Sequence, residues 1–463
     1  MKPYAIELDD RALALARDGQ VLSCEPSAVF DGSAGQPAGE AAWHALRLLP
    51  TATSTRHVTE AATRAAPSQN ALALMAAELR RRLAAHPPAE GERVWVAVPA
   101  RVDAQGLGAL LALLRELPLP VDGFVDAAAA TVAALGLDRT ALVLELGLHH
   151  VGVTAVDTDS RARRRSAMTS EKGGLIELYE SWLELVSAAM VRRTRFDPLH
   201  DATTEQQLFD AMPELTREAA HEGSTVASVT TGGTRFETPL TRDQFTEAAQ
   251  PVYREVVRLL HELRPAGAAV AIVVPGIVGN LPGLRETFEG FTGCELVAIP
   301  DGFAAAAVSL LDLPQPQEEG VAHLLRRLPA RAQPLLLERV VRTGLGGRRT
   351  SAPPPSHVLF DGRAYSLAEA LVVGRAPAAS HAITLPEGLA GVSRRHCTFT
   401  RDGDELVLID HSSFGTFVNG ERVAGRVRVH AGDRVRLGEP GVELALIAVG
   451  EAVTGSSHGE AQA

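Results

Sequence analysis

Around the stretch Gly374 to Asn419 the apolar residues alternate in short runs, cut by Gly, Asp, Asn and Pro: LVVGRAPAASHAITL, GVSRRHCTFTRDGDELVLID, HSSFGTFVNGERV and GDRVRLG. A period of two leaves no helical face to bury, so this stretch predicts antiparallel strands joined by tight turns. Strands at that spacing stack as a sandwich whose loops cluster at its ends, where a rigid frame can present polar groups. Two loop positions carry the chemistry. Arg375 follows Gly374, and Ser393-Arg394-Arg395-His396 occupies a turn. Guanidinium and hydroxyl donors converging from two loops are equipment for holding a phosphate through charge-assisted hydrogen bonds.

Gly374-Arg375, Ser393-Arg394-x-His396 and Ser413-x-Gly415-Thr416-x-x-Asn419-Gly420 follow one another in this order. With them, residues 356–449 resemble the forkhead-associated (FHA) domain, a β-sandwich reader of phosphothreonine peptides. The resemblance implies that Arg375 and Ser393 hold the phosphate and that Arg394 and Ser413 line the same loops. It makes His396 a brace for the loop, and Gly374, Gly415, Thr416 and the Asn419-Gly420 turn architectural. The implied partner is a threonine-phosphorylated protein, and behind it a Ser/Thr protein kinase. One position departs from the family's pattern. An Asn that contacts the peptide backbone usually precedes the Gly-Thr pair, and here Phe414 stands in its place.

At 463 residues the chain is too long for this module alone, which implies two or three domains. A net charge of -11 argues against a nucleic-acid partner or an anionic membrane surface. No apolar run approaches the roughly 18 residues of a membrane span, and no charged-then-apolar leader opens the sequence. Cys24, Cys294 and Cys397 are scattered and form neither a disulfide framework nor a metal motif. The plain expectation is a cytoplasmic protein of bacterial type.

Upstream, strand and helix patterns alternate, which predicts an α/β fold. Residues 1–30 predict a hairpin turning at Asp18-Gly19, 39–85 helices, 94–100 a buried strand, and 122–136 a small-residue helix. A second hairpin is expected over 141–157, then a basic loop at RARRRSAMTSEKGG, a long helix at 175–193, and two strand–helix units ending near Leu311. The opening hairpin, PSAVF, AVPARVDAQ, the helix at 126–136, Gly173-Gly174 and Pro300-Asp301-Gly302 form an ordered set. Through them residues 3–312 resemble the actin-like ATPase superfamily, and more closely the nucleotide-binding domain of DnaK-type chaperones. The peptide-binding domain of those chaperones does not follow; the FHA-like module takes its place.

That resemblance implies a nucleotide cleft, and the cleft residues are altered. Phosphate-cradling loops need glycines so that backbone amides can approach. The first loop reads Glu7-Leu8-Asp9-Asp10, with Asp9 where the family has Gly. The second reads Glu145-Leu146-Gly147-Leu148-His149-His150 and keeps one glycine. The adenosine contact is reduced to Pro275-Gly276, and Asp126 stands for a glutamate before the small-residue helix. Only Lys2 and Lys172 occur, and neither falls where a catalytic lysine is expected. Adjacent histidines on a strand point to opposite faces, which argues against a metal role for His149 and His150. The expectation is a degenerate, non-catalytic domain without metal or cofactor, although weak binding of Mg-ATP remains compatible with it.

Residues 313–355 read as a linker, helical in part up to Val341 and then rich in Gly and Pro; residues 450–463 read as a disordered tail. Thr350, after two arginines, is a candidate phosphosite. The six or so residues between it and the first strand of the sandwich reach about 20 Å. The ends of such a sandwich lie about 25–35 Å apart, so a phosphorylated Thr350 would fit a neighbouring molecule's site and produce self-association. Together these features describe a pseudo-ATPase platform (1–312) fused to a phosphopeptide reader (356–449), acting as a signalling scaffold. The alternatives are a nucleotide-switched, chaperone-like ATPase that controls the reader, and a purely structural fusion that binds no phosphate.

Overall fold

The computed structural model describes residues 2–30, 38–63, 69–117, 119–265, 268–291, 293–314, 322–329, 340–345, 355–386, 388–389, 391–402, 405–418, 421–423, 425–429, 431, 433–438 and 441–448. The chain divides into two compact units, Met1–Gly346 and Gly347–Ala463. Thr350, Asn419-Gly420 and the segment from residue 449 onward lie outside the described residues.

The first unit contains two mixed sheets with one strand plan. In the first sheet, Tyr4–Leu8, Ala12–Arg17 and Gln20–Pro26 form an antiparallel meander, and Val94–Val98 then Val121–Asp126 add in parallel beyond Tyr4–Leu8. In the second, Ala141–Leu146, Val151–Thr158 and Arg161–Ser170 repeat the meander, and Ala271–Pro275 then Cys294–Ile299 add in parallel. The central parallel strands Val94–Val98 and Ala271–Pro275 are apolar along their length because both faces are covered; all five residues of Val94–Val98 are buried. At the Asp18-Gly19 turn both residues have positive φ (50° and 79°), the two-residue hairpin geometry that such a pair favours.

Two alanine-rich helices, Ala127–Leu135 and Phe303–Leu310, pack on each other and form one core with residues of both sheets, among them Ala14, Trp95, Val143 and Val273. Alanine is the best helix former, and its single methyl lets backbone elements approach closely. Asp126 starts the first of these helices by accepting from the Ala129 amide (2.9 Å), and Gly136 ends it in the left-handed conformation. The opposite face of the second sheet is covered by Leu175–Thr194, Ala202–Glu222 and Gln250–Leu263, with Trp182, Phe209 and Tyr253 at the centre. Gln69–Ala85 and Ala104–Glu116 cover the first sheet.

Four expectations change. The opening segment is a three-stranded meander rather than one hairpin, because a second turn falls at Asp9–Arg11. The small-residue helix begins at Ala127, since residues 121–126 continue the sheet. Arg161–Ser170 is a strand, not a loop. Its half-covered positions carry Arg164, Ser166, Met168 and Ser170, so the alternation of burial has no apolar counterpart in the sequence. The segment taken as a linker contributes His323–Leu325 to the first sheet, and Arg327–Pro329 and Val341–Leu345 to the second. Leu328 and Leu345 bury their side chains there, which two or three apolar residues per strand do not announce in the sequence.

The second unit is a sandwich. One sheet runs Arg363–Ser366, His357–Phe360, Val442–Ile447, Arg434–Leu437, Thr416–Val418, Glu421–Arg422. The other runs Ala382–Thr384, Leu371–Gly374, Cys397–Asp402, Glu405–Asp410, Arg426–Val429. Val358, Val373, Phe399, Leu408 and Leu444 fill the space between them. Among the described residues no helix is long and apolar enough to cross a membrane.

Candidate functional site

Strand Leu371–Gly374 ends by delivering Arg375 to one end of the sandwich. The amides of Arg375 and Ala376 donate to the carbonyls of Ser393 (3.1 Å) and Arg394 (2.9 Å), so the two sequence-predicted loops run side by side. Gly374 permits this approach: a Cβ there would lie 2.1 Å from the Arg394 carbonyl oxygen. The fully buried His396 ties the Ser393 loop to the next one. Its Nδ1 accepts from the Ser393 amide (3.0 Å) and its Nε2 donates to the Gly415 carbonyl (3.2 Å). That pair of bonds requires the neutral ring with its proton on Nε2. Burial lowers the pKa of His396 and so favours the neutral form, against the opposing pull of the Gly415 carbonyl.

The third loop is braced from within. Thr416, buried, donates its hydroxyl to Asp410 Oδ1 (2.7 Å), and the Ser412 amide donates to the same oxygen (2.9 Å). Burial works against the Asp410 carboxylate, but these donors outweigh it and hold its pKa below the ordinary value. The Gly415 amide donates to Ser412 Oγ (2.8 Å), and Gly415 adopts a φ of 89°. The Ser413 amide donates to Ser393 Oγ (3.2 Å), which leaves the Ser393 hydroxyl proton free to donate outward. Arg375 is half-buried, and its Nε is buried without a partner among the described residues. Arg394 and Ser413 are exposed beside it. Arg375, its Nε unpartnered, and the Ser393 hydroxyl stand on adjoining loops, an arrangement of donors that can take an anion.

In the first unit, Glu7, Asp9 and Glu145 line one cavity of about 70 Å³ together with Arg11, Pro275 and Asp301. Glu7 accepts from the Ala305 amide (2.9 Å) in the first turn of Phe303–Leu310. Burial pushes the carboxyls of Glu7 and Glu145 each up to about 7. Asp9 caps its own turn by accepting from the Arg11 amide (3.2 Å); burial, then repulsion from Asp10, raises its pKa. Asp126 is committed to the helix cap and to Arg164 (2.6 Å), and burial raises its pKa as well. Gly276 lines a different cavity of about 520 Å³, with Val278, Leu296 and Val341.

Beside this cavity lies Asp10, fully buried, which the sequence places in the first loop without singling out. Its Oδ1 accepts from the Leu148 amide (3.0 Å), and its Oδ2 accepts from the Thr59 hydroxyl (3.2 Å) and lies 3.1 Å from His150 Nδ1. Burial opposes its charge, yet the His150 hydrogen bond holds its pKa below the ordinary value. Gly147 allows the approach, since a Cβ there would lie 2.6 Å from Asp10 Oδ1. Arg11 closes the other side on Asp301 (2.7 Å). His149 points elsewhere, to the Thr55 hydroxyl (2.8 Å), and burial, with Arg56, pulls its pKa down to about 4. Which of two adjacent aspartates in a turn faces the neighbouring loop depends on turn geometry, and the sequence carries no signal for it.

Residues 371–438 match the family model of the FHA domain. No curated protein in the comparison matches the chain.

Proposed function

We propose that this chain, which carries an FHA domain and hence a phosphopeptide-binding module, is a non-catalytic adaptor that recruits a threonine-phosphorylated protein to a degenerate actin-like platform. The observation that carries the reader half is the pairing of Arg375, its buried Nε without a partner, with a Ser393 hydroxyl whose proton is free. Charge-assisted donors of this kind bind a dianionic phosphate far better than an uncharged hydroxyl. Binding of phosphothreonine peptides against their unphosphorylated counterparts, measured by anisotropy, tests it. Equal affinity for the two would favour the purely structural alternative.

The platform half is supported by the alternation of strands and helices in the first unit, whose two sheets repeat one strand order, together with the resemblance of residues 3–312 to the actin-like superfamily. Its loss of catalysis is supported by Asp10. The amide that a phosphate oxygen would need already bonds a carboxylate of the protein. Calorimetric titration with Mg-ATP is expected to show no turnover; hydrolysis that survives purification and disappears in Glu145→Gln would restore the nucleotide-switch alternative. The setting we infer is cytoplasmic and bacterial, with a Ser/Thr kinase supplying the phosphate. Thr350 extends the proposal to self-association. Mixing phosphorylated Thr350→Ala and Arg375→Ala proteins should give a heterodimer that neither forms alone, and monomers at micromolar concentration would refute this part.

A further inference from the structure

The larger cavity of the first unit, about 520 Å³, lies at the edge of the second sheet that ends in Val341–Leu345. Its floor is apolar. Val274, Leu296 and Ala298 come from the two parallel strands, and Val341 continues them on the edge strand. Pairing of Val274 with Ala298 and of Ala298 with Val341 puts all four on one face, since Leu296 is two positions from Ala298. That face carries the core around Trp182. The acid-lined cavity takes Ala128 and Val143 from the opposite face, and the two cavities share only Ile299 and Pro300. Val274 and Leu296 are buried while Val341 is 59% exposed, so the floor runs from the core to an open mouth.

The polar groups at this cavity are donors. Arg285 is the one charged residue lining it among the described residues, and no ion pair or hydrogen bond there engages its guanidinium. The adjacent Glu286 is taken by Arg242. Asn280 Oδ1 accepts from His221 Nε2 (3.1 Å), which leaves the Asn280 amide hydrogens to donate. In a chain of net charge -11, a cavity lined by one unanswered cation and no described carboxylate is complementary to an anion. A guanidinium holds a carboxylate through two parallel hydrogen bonds, and an apolar floor with few polar groups suits a hydrocarbon body.

We propose that this cavity binds a small amphipathic carboxylate, its apolar body against Val274, Leu296 and Val341 and its head on Arg285. The inference is independent of the phosphopeptide reading. Gly276, expected at an adenosine contact, also lines the cavity, so the test has to separate this ligand from a nucleotide.

The test is calorimetric titration of the full chain with decanoate, against decanol and decyltrimethylammonium, which keep the hydrocarbon chain and lack the negative charge. Decanoate should saturate a single site and bind at least about tenfold more tightly than either. Arg285→Ala should weaken decanoate by about tenfold or more and leave decanol unchanged, with Arg285→Lys recovering part of the loss. Arg285 is exposed, so the unfolding midpoint of both variants should stay at the wild-type value. Ala298→Leu extends a side chain into the cavity and should abolish decanoate binding with a midpoint no lower than wild type. Decanoate that does not saturate, decanol that binds as tightly, or wild-type affinity in Arg285→Ala overturns the proposal. So does undiminished binding in Ala298→Leu. Displacement of decanoate by Mg-ATP would make the cavity a nucleotide pocket and overturn it equally.

Discussion

The molecule holds two places where loops from neighbouring strands present charge, and they differ in where the hydrogen bonds go. In the first unit a carboxylate from one loop takes the amide of the next: Asp10 accepts from Leu148 and meets His150, while Arg11 closes on Asp301. In the second unit the loops are joined through backbone groups and His396, and the side chains at the front keep their donors. Arg375 retains a buried, unpartnered Nε, and Ser393 accepts one hydrogen bond while its proton stays free. The two clusters therefore differ in what supplies the acceptors that join their loops, a buried carboxylate in the first and backbone carbonyls with a histidine ring in the second. A buried unpartnered arginine nitrogen occurs in both, at Arg11 as at Arg375.

The sharpest way to break this contrast is Asp10→Ala. It leaves the buried Leu148 amide without its acceptor and disrupts a charged network, at an expected cost of about 2–4 kcal/mol in chemical denaturation. Asp10→Asn, which keeps an acceptor oxygen, should recover part of the loss. If Asp10→Ala unfolds at the wild-type midpoint, the clasp between the loops contributes no stability and the two regions do not differ in this respect.

The reciprocal substitution in the second unit should spare the fold and cost binding. Arg375→Ala is expected to weaken phosphothreonine-peptide binding by about 1.5–3 kcal/mol, the range for a charged hydrogen bond, and Ser393→Ala by about 1 kcal/mol. Calorimetry of both variants measures this directly, with unfolding midpoints close to wild type. A large loss of stability in Arg375→Ala would place that arginine with the structural charges.

A further expected effect depends on pH. Glu7 has a folded pKa of about 7 against an ordinary 4.5, because burial disfavours its ionised form. Between those values the unfolded chain releases a proton that the folded chain keeps, so stability falls as pH rises from 4.5 to 7 and levels off above that. Glu7→Gln keeps an oxygen for the Ala305 amide and removes this dependence. It should stabilise the protein by about 1–2 kcal/mol at pH 8 and by nearly nothing at pH 4.5. An equal effect at both values would mean that Glu7 is already ionised in the folded protein.

The second unit was more legible in the sequence than the first, for a physical reason. Gly374, Arg375, Ser393 and His396 act through local loop geometry, and their spacing along the chain carries over into their arrangement in space. The Asp18-Gly19 turn was readable on the same terms. Asp10 and Leu148 meet across 138 positions, and nothing local distinguishes Asp10 from Asp9. Arg161–Ser170 escaped because its sheltered face holds Arg164, whose charge is answered by Asp126 rather than by apolar packing. Arginine on the inner side of a strand reads as loop until its partner is known.

His323–Leu325 belongs to one sheet and Arg327–Pro329 to the other, with Arg326 alone between them. The chain therefore stitches the two sheets of the first unit with adjacent three-residue ladders. One peptide link spans under about 4 Å between successive Cα atoms, so there is no slack at the seam. Any rotation of one sheet against the other along this line is absorbed at Arg326 or strains a ladder, so the two sheets are tethered at this margin through a single residue.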